Sequence, residues 1–213
     1  MHPPLTGLIA APHTPFNADG SLNLDRVEDQ AAHLLSHGVG GVFVAGTTGE
    51  CHSLTVDERL ALARRWRDAV RGSDLKVIIQ VGHNCQADAM ALAAQASLLG
   101  VAGVAAFAPC FHKPATVEDL LDFLAPIAAE CGEVPFYFYD IPSMTGVRLP
   151  TAELLERGLA KIPSLRGLKF SNPDLMELQR CLGVGGFDVL FGLDEMLLAA
   201  LSLGCRGAVG ATY

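Results

Sequence analysis

The fold is decided by residues 41–82, which read "GVFVAGTTGECHSLTVDERLALARRWRDAVRGSDLKVIIQVG". This stretch begins with a short apolar run, "GVFVAG" (41–46), and ends with another, "KVIIQVG" (76–82). Both runs are hydrophobic without alternation, which is typical of strands buried on both faces of a parallel sheet. Between them, "TVDERLALARRWRDAV" (55–70) opens with the T-x-x-E spacing of a capping box and predicts a helix. The stretch therefore predicts a β–α–β unit.

The same alternation recurs along the whole chain. Helices are predicted for "QADAMALAAQASLL" (86–99) and "TVEDLLDFLAPIAAE" (116–130), and another is predicted to begin at Pro173 behind a capping Asn172. Eight strands separated by helices predict an α/β fold, the (β/α)8 TIM barrel, with an open doubly wound sheet as the alternative. The six further strands are predicted for "GLIAAPHTPF" (7–16), "GVAAFAP" (103–109), "PFYFYDI" (135–141), "RGLKFS" (166–171), "DVLFGLDE" (188–195) and "GAVGATY" (207–213).

The chain is predicted to form one domain over residues 1–213. It contains no Pro/Gly-rich linker, low-complexity tract or internal repeat that would divide it. A barrel of this class typically needs ~250 residues, whereas the eighth apolar run reaches Tyr213. We therefore expect a single barrel domain that is C-terminally truncated after the eighth strand and lacks the closing C-terminal helix and helical extension.

The composition indicates a globular protein of the cytoplasm. Half of the residues are hydrophobic, 18% are charged and the formal net charge is -8, whereas phosphate binding needs clustered Lys and Arg. No apolar run approaches the ~18 residues that span a membrane. The N-terminal "MHPPLTGLIAA" (1–11) lacks the basic flank of a secretory signal. We expect no nucleic-acid or membrane partner.

The cysteines and histidines give no sign of a metal site. No pair of cysteines has CxxC spacing, which favours reduced thiols over a disulfide scaffold or a zinc site. The histidines have no metal-ligand spacing either, so we interpret them as surface or hydrogen-bonded core residues. The residues concerned are Cys51, Cys85, Cys110, Cys131, Cys181 and Cys205, and His2, His13, His33, His37, His52, His83 and His112.

A lysine interrupts the predicted sixth strand. Lys169 lies in the apolar run "RGLKFS", where an ammonium group is costly to bury. In one interpretation its side chain reaches solvent or pairs with a carboxylate. In the other, desolvation lowers its pKa, so that the neutral amine can attack a carbonyl. The second interpretation matters because the active sites of such barrels lie at the carboxyl ends of the strands.

Polar residues stand at two other predicted strand ends. Thr47 and Thr48 lie in "GTTGE" (46–50), which suits a carboxylate or forms a plain strand-to-helix turn. Tyr139 ends the fifth strand in "YFYDIPSMTG" and faces the same side as Tyr137. It is either a catalytic group or a core residue with a satisfied hydroxyl.

The seventh predicted strand ends in "FGLDE", which includes Asp194 and Glu195. These carboxylates either accept hydrogen bonds from the hydroxyls of a substrate or form a helix start that the helix dipole favours.

Taken in order, "GTTGE", "YDIPxxTG", "GLKFS" and "FGLDE" resemble the dihydrodipicolinate synthase / N-acetylneuraminate lyase superfamily of pyruvate-dependent class I aldolases. The resemblance runs from about residue 7 to the end of the chain. It implies a TIM barrel, a Schiff-base lysine at Lys169, an acid/base tyrosine at Tyr139 and a carboxylate site at Thr47 and Thr48. It also implies an enzyme without metal or organic cofactor that acts on a small 2-keto acid and usually forms homotetramers.

Within the superfamily, "FAPCFHKP", "KIPSLRGLKFS" and "LFGLDE" resemble the N-acetylneuraminate lyase branch of the vertebrate type. This implies that Gly192, Asp194 and Glu195 hold the hydroxylated tail of a sugar acid and that Ser171 lies beside the Schiff base. The activity implied is reversible cleavage of N-acetylneuraminate to pyruvate and N-acetylmannosamine.

Several positions separate the chain from the synthase branch or depart from the lyase pattern. Met144 stands where the synthases tend to carry an arginine, and Cys110 and Phe111 replace their tyrosine dyad. Asp140 stands where lyases usually have Asn or His, and Ala211 replaces the serine of "GSTY". Three alternatives therefore stay open: an aldolase or dehydratase for a 2-keto-3-deoxy sugar acid, a dihydrodipicolinate synthase-like enzyme, and a catalytically idle paralogue that binds a keto acid or a partner subunit.

Overall fold

Eight parallel strands form a closed barrel in chain order, with β1 hydrogen-bonded to β8. The computed structural model describes residues 3–213, so His2 and the start of the N-terminal segment discussed above lie outside the described residues. Closure of the barrel rules out the open doubly wound sheet. The strands are β1 (Gly7–Ala10), β2 (Gly41–Val44), β3 (Lys76–Gln80), β4 (Gly103–Phe107), β5 (Phe136–Asp140), β6 (Leu165–Phe170), β7 (Asp188–Phe191) and β8 (Gly207–Gly210).

Helices occupy the connections between consecutive strands. Two of the three predicted N-caps, Thr55 and Thr116, are confirmed, and each forms a complete capping box. None of the helices among residues 3–213 is long and apolar enough to cross a membrane. The helices are α1 (Arg26–Ser36), α2 (Val56–Ala69), α3 (Gln86–Leu98), α4 (Val117–Ala129), the short α5 (Pro142–Thr145), α6 (Thr151–Lys161), α7 (Leu175–Val184) and α8 (Leu197–Ser202).

The strands begin within one residue of the prediction but end earlier. The run predicted as a strand over residues 7–16 is extended only to Ala10, and the one predicted over 188–195 only to Phe191. The remaining residues of each run form the loops at the carboxyl end of the barrel. Ala11 and Thr14 of the first loop are buried although they are not in a strand, and hydrophobicity alone does not distinguish a buried strand from a buried loop.

The predicted start of α7 is wrong. The helix begins at Leu175, and its N-cap is Asp174, whose Oδ1 accepts hydrogen bonds from the backbone N–H groups of Met176 and Glu177 at 3.0 Å each. Asn172 instead accepts from the Asp174 N–H, and its side-chain amide is directed to Asp140 on β5. A partner on another strand, 32 residues away, thus determines the role of this side chain.

Two tyrosines of β5 lie at different heights in the barrel. Tyr137 donates a 2.9 Å hydrogen bond to Asp188 Oδ2 at the start of β7, near the amino ends of the strands. Tyr139, two residues further on, pairs in register with Lys169 of β6 at the carboxyl end. On the predicted common face of β5, Tyr137 therefore makes a structural hydrogen bond near the amino ends of the strands, whereas Tyr139 lies at the mouth of the barrel.

Candidate active site

Lys169 lies buried at the carboxyl end of β6. It is 4% exposed, and its Nζ is 4.2 Å from the ring centroids of both Phe43 and Tyr139. Burial lowers the pKa of Lys169 to about 7, against the opposing attraction of Asp194. The side chain does not reach solvent, and a substantial share of its amine is neutral near pH 7. The arrangement fits a nucleophilic amine.

Tyr139 places a hydroxyl beside the lysine. It is 2% exposed, and its hydroxyl oxygen lies 3.2 Å from Oγ1 of Thr47 on the loop after β2. Burial raises the pKa of Tyr139, while hydrogen bonds with Thr47 and Ser171 act in the opposite direction. The phenol therefore keeps its proton at neutral pH, and it can exchange that proton with a group bound next to Lys169.

The "GTTGE" turn has an unusual backbone at both ends. Ala45 and Glu50 have positive φ angles of 54° and 57°, which non-glycine residues rarely adopt. The Thr14 hydroxyl stabilises the turn, because it donates a 2.7 Å hydrogen bond to the carbonyl of Gly49. Thr47 is exposed and Thr48 is half-buried, so both hydroxyls lie at the barrel mouth. Backbone strain of this kind is concentrated at functional sites.

Gly192 leaves the space in which Lys169 and Ser171 meet. A Cβ at this position would lie 2.2 Å from Oγ of Ser171 and 3.2 Å from Cε of Lys169. Only glycine avoids both contacts without displacing the lysine stem. The residue predicted from the resemblance to hold a substrate tail thus has a second role, in the packing of the lysine.

Asp194 is engaged with the segment after β8. Its Oδ2 accepts hydrogen bonds from the N–H groups of Ala211 and Thr212, at 2.9 and 3.1 Å, and from the Thr212 hydroxyl at 2.9 Å. Glu195, by contrast, is exposed. Asp194 is also the first residue of a 3₁₀ helix, Asp194–Met196, that leads into α8, as the helix-start interpretation predicts. Its hydrogen bonds in addition connect the ends of β7 and β8, which lie next to each other in the closed barrel.

A cleft of about 220 Å³, partly open to solvent, adjoins Thr47 at the barrel mouth. His52 and Cys51 line it together with Phe107, whose ring centroid lies 5.1 Å from that of His52. Burial, then the charge of Arg59, lowers the pKa of His52. Neither the spacing nor the residue types of Cys51, His52 and Phe107 predict from the sequence that they line a cleft.

Three potential metal ligands meet at the start of α3, two on the loop before it and one in its first turn. Ligand atoms of His83, Cys85 and Asp88 lie within 4.8 Å of one another. The spacing of the histidines does not predict this cluster, because its three residues are of different types. The His83 Nδ1 already accepts a 3.0 Å hydrogen bond from the Cys85 N–H and lies 3.5 Å from Asp88 Oδ2. The cluster includes neither Lys169 nor Tyr139, and the chemistry described above does not involve it.

The fold and the site define an aldolase-type barrel enzyme, a carbon–carbon lyase, with a buried lysine and a tyrosine at the carboxyl ends of neighbouring strands. Residues 4–213 match the dihydrodipicolinate synthetase family, and the chain belongs to that family.

Among its relatives are N-acetylneuraminate lyases of vertebrates. The lyase of Gallus gallus is 43% identical over 213 residues, which cover 98% of this chain and 69% of the relative. The lyase of Homo sapiens is 42% identical over 215 residues, with 98% and 67% covered. The chain thus spans about two thirds of the length of these relatives.

Comparison with solved structures agrees with the sequence comparison. The N-acetylneuraminate lyase of Proteus mirabilis superposes with a TM-score of 0.96 at 42% identity, covering 99% of this chain and 72% of that one. The dihydrodipicolinate synthase of Cyanidioschyzon merolae has a TM-score of 0.90 at 31% identity, with 96% and 69% covered. Both branches share the barrel, and the sequence is more similar to the lyase.

Proposed function

We propose that this chain is an N-acetylneuraminate lyase, which cleaves N-acetylneuraminate reversibly to pyruvate and N-acetylmannosamine. The observation that carries the proposal is the buried Lys169 next to Tyr139 at the barrel mouth. The identity of 40–43% to N-acetylneuraminate lyases of vertebrates supports the choice of substrate, which the lower identity of 31% to a dihydrodipicolinate synthase does not favour.

In the proposed reaction Lys169 forms a Schiff base. Its neutral amine adds to the C2 ketone of the open-chain sugar acid, and loss of water gives a protonated imine. The C3–C4 bond then breaks, its electron pair moves into the imine to form an enamine, and the C4 hydroxyl loses its proton as N-acetylmannosamine leaves as an aldehyde. Protonation of the enamine at C3 and addition of water release pyruvate and restore the amine.

Tyr139 is the proposed proton carrier. Its phenol lies over the lysine amine and is protonated at neutral pH, so it can give and recover a proton as water leaves and as the C4 hydroxyl is deprotonated. Such a group typically contributes ~10²–10⁴-fold to the rate. Thr47 and Thr48 hold the carboxylate, which fixes the ketone beside Lys169.

The hydroxylated tail is assigned to the ends of β6 and β7. Ser171 lies beside the Schiff base, and Gly192, Asp194 and Glu195 face the tail. Because Asp194 Oδ2 is engaged with the segment after β8, its Oδ1 is the oxygen left to accept a hydroxyl. A site of paired hydroxyl contacts rejects analogues that lack them, since its own polar groups would lose their partners.

The oligomeric state and the cellular compartment of the protein are also part of the proposal. We expect residues 1–213 to act as a single barrel domain, in a cytoplasmic homotetramer that needs no metal or organic cofactor. Large apolar side chains on the surface support self-association: Leu198 is 81% exposed, Phe111 79% and Met144 63%. Sedimentation equilibrium measures the assembly directly.

The substrate is tested by comparing two sugar acids. Pyruvate release is followed with N-acetylneuraminate and with 2-keto-3-deoxygluconate, using Lys169→Met as the control without an amine. The proposal expects faster turnover of N-acetylneuraminate and no turnover of either by the control. Release from 2-keto-3-deoxygluconate alone would instead support the related aldolase. Release from neither, by a folded protein, would support a keto-acid-binding paralogue.

A further inference from the structure

Asp140 is a buried carboxyl group that the proposed mechanism does not use. It follows Tyr139 on β5 and is 6% exposed. Because side chains alternate along a strand, Tyr139 faces the barrel mouth and Asp140 faces the surrounding helices. Its neighbours there are Thr151 at the start of α6 and Asn172 on the loop after β6.

Two bonds join Asp140 to the loop that follows the lysine strand. Asp140 Oδ2 accepts a 3.1 Å hydrogen bond from Nδ2 of Asn172, and its backbone carbonyl accepts a 2.8 Å bond from the N–H of Ser171. The same Oδ2 accepts a 3.2 Å bond from the Thr151 hydroxyl. One residue of β5 thus fixes two successive residues, Ser171 and Asn172, which we call the 171–172 turn.

No cation is hydrogen-bonded to this carboxylate within the described residues. The charged or titratable groups that face it are Glu177 and Cys181 on α7 and the exposed Arg148 before α6. Glu177 is itself buried and accepts a 2.8 Å bond from the Ala152 N–H. Burial, together with the charge of Glu177, raises the pKa of Asp140 to about 6, against its two hydrogen-bond donors and Arg148.

The 171–172 turn leads directly to the reacting groups. Ser171 interacts with the Tyr139 hydroxyl and lowers the pKa of that phenol. It packs so closely against Gly192 that a methyl group there would overlap its hydroxyl. A shift of the turn therefore moves Ser171 relative to Tyr139 and Lys169, and small misplacements at a reacting centre have large effects on rate.

We propose that Asp140 is a positioning residue, whose ionised carboxylate holds the 171–172 turn through Asn172 and so keeps Ser171 against Tyr139. This inference rests on the proposed lyase reaction. Hydrogen bonds to an ionised acceptor are shorter and about twice as strong as neutral ones. Protonation of Asp140 weakens its bond to Asn172, the turn loosens, and turnover falls on the acid side.

The test is the pH profile of kcat/KM for N-acetylneuraminate in the wild type and in Asp140→Asn. Two protonations, of Lys169 and of Asp140, make the acid limb of the wild type steeper than that of a single group: the slope of log kcat/KM reaches about 1.5 near pH 5.5, because the protonated Asp140 form keeps about a tenth of the activity. Asp140→Asn keeps the shape and an acceptor oxygen but loses the charge. We expect its slope to fall to about 1 and its kcat at pH 7.5 to drop about tenfold.

Two further variants distinguish a loss of positioning from a general loss of structure. Asn172→Ala removes the donor, so its loss of kcat should equal that of Asp140→Asn, and the double variant should be no worse than either single one. Glu177→Gln removes the neighbouring negative charge and should move the steeper part of the acid limb to lower pH. If Asp140→Asn fails to fold, these two variants still decide the matter.

The inference is overturned if Asp140→Asn keeps the wild-type slope and kcat, or if the losses in the double variant add. Failure of the proposed function has a different signature, because the folded wild type would then release no pyruvate from N-acetylneuraminate at any pH.

Discussion

Lys169 shows how one residue combines a cost in stability with reactivity. Its amine lies among the rings of Phe43 and Tyr139, and burial outweighs the attraction of Asp194 and Cys51, which favours its charge. An unfolded chain would hold the proton up to about pH 10.4, whereas the folded chain releases it near pH 7. The unfolded state therefore binds more protons between these values, and stability rises with pH across this window.

Replacing the lysine by a neutral side chain of similar length tests this cost. We expect Lys169→Met to raise the free energy of unfolding by a few kcal/mol at pH 7, because no charge needs to be buried. The gain should shrink as the pH approaches 10, where the unfolded lysine is also neutral. Urea unfolding at pH 7 and pH 9.5 measures both. A variant less stable than the wild type at pH 7 would show that the amine is paired and stabilising.

Sequence patterns at the residue scale identify only part of the site. Lys169 can be predicted because a lysine in an apolar run contradicts its surroundings. A contradiction between a residue and its surroundings does not predict two other contacts of the site. These are the hydrogen bonds of Asp194 to residues 211–212 and the hydrogen bond between Asp140 and Asn172. Both depend on distances that exist only after the barrel closes, and the residue types involved are common on ordinary surfaces.

At the scale of elements, local signals determine where helices and strands begin better than where they end. The capping boxes at Thr55 and Thr116 are local, and both are confirmed. The predicted start of α7 at Pro173 is wrong, because the neighbouring Asp174 caps the helix and Asn172 bonds to another strand. The strand ends are predicted too late for a related reason: apolar residues continue past the last paired residue, so hydrophobicity alone does not show where strand pairing stops.

Asp140 connects β5, the start of α6 and the loop after β6, and this connection has a stability cost of its own. Its folded pKa of about 6 lies above the usual 3.8, so the ionised form is disfavoured in the folded protein. The cost is present at neutral pH and disappears as the pH falls from about 6 toward 4.

Asp140→Asn should therefore be more stable than the wild type at pH 7.5, by about 1–3 kcal/mol for a pKa shift of this size. The difference should vanish near pH 4. Thermal or urea unfolding at the two pH values measures it. Lower stability of the variant at pH 7.5 would mean that the carboxylate gains more from its donors than burial costs. Higher stability with lower activity would be a trade-off of the kind common at functional sites.

At the scale of the whole molecule, closure of the barrel creates the site. β1 and β8 pair from Gly7 and Gly207 to Ala10 and Gly210, and the paired residues are 200 positions apart in the chain. This closure gathers the ends of β2, β5, β6 and β7 around one amine. The count of eight apolar runs was enough to predict the barrel, and the order of four short motifs was enough to predict the family.

The central claim is that Lys169 is a Schiff-base nucleophile, and borohydride trapping tests it most directly. The protein is incubated with pyruvate and sodium borohydride, digested and mapped by mass spectrometry, with Lys169→Met as the matched control. We predict a reduced pyruvyl adduct on the peptide that contains Lys169, and none on the variant. A folded wild-type protein without an adduct, or with one on another lysine, would contradict the account.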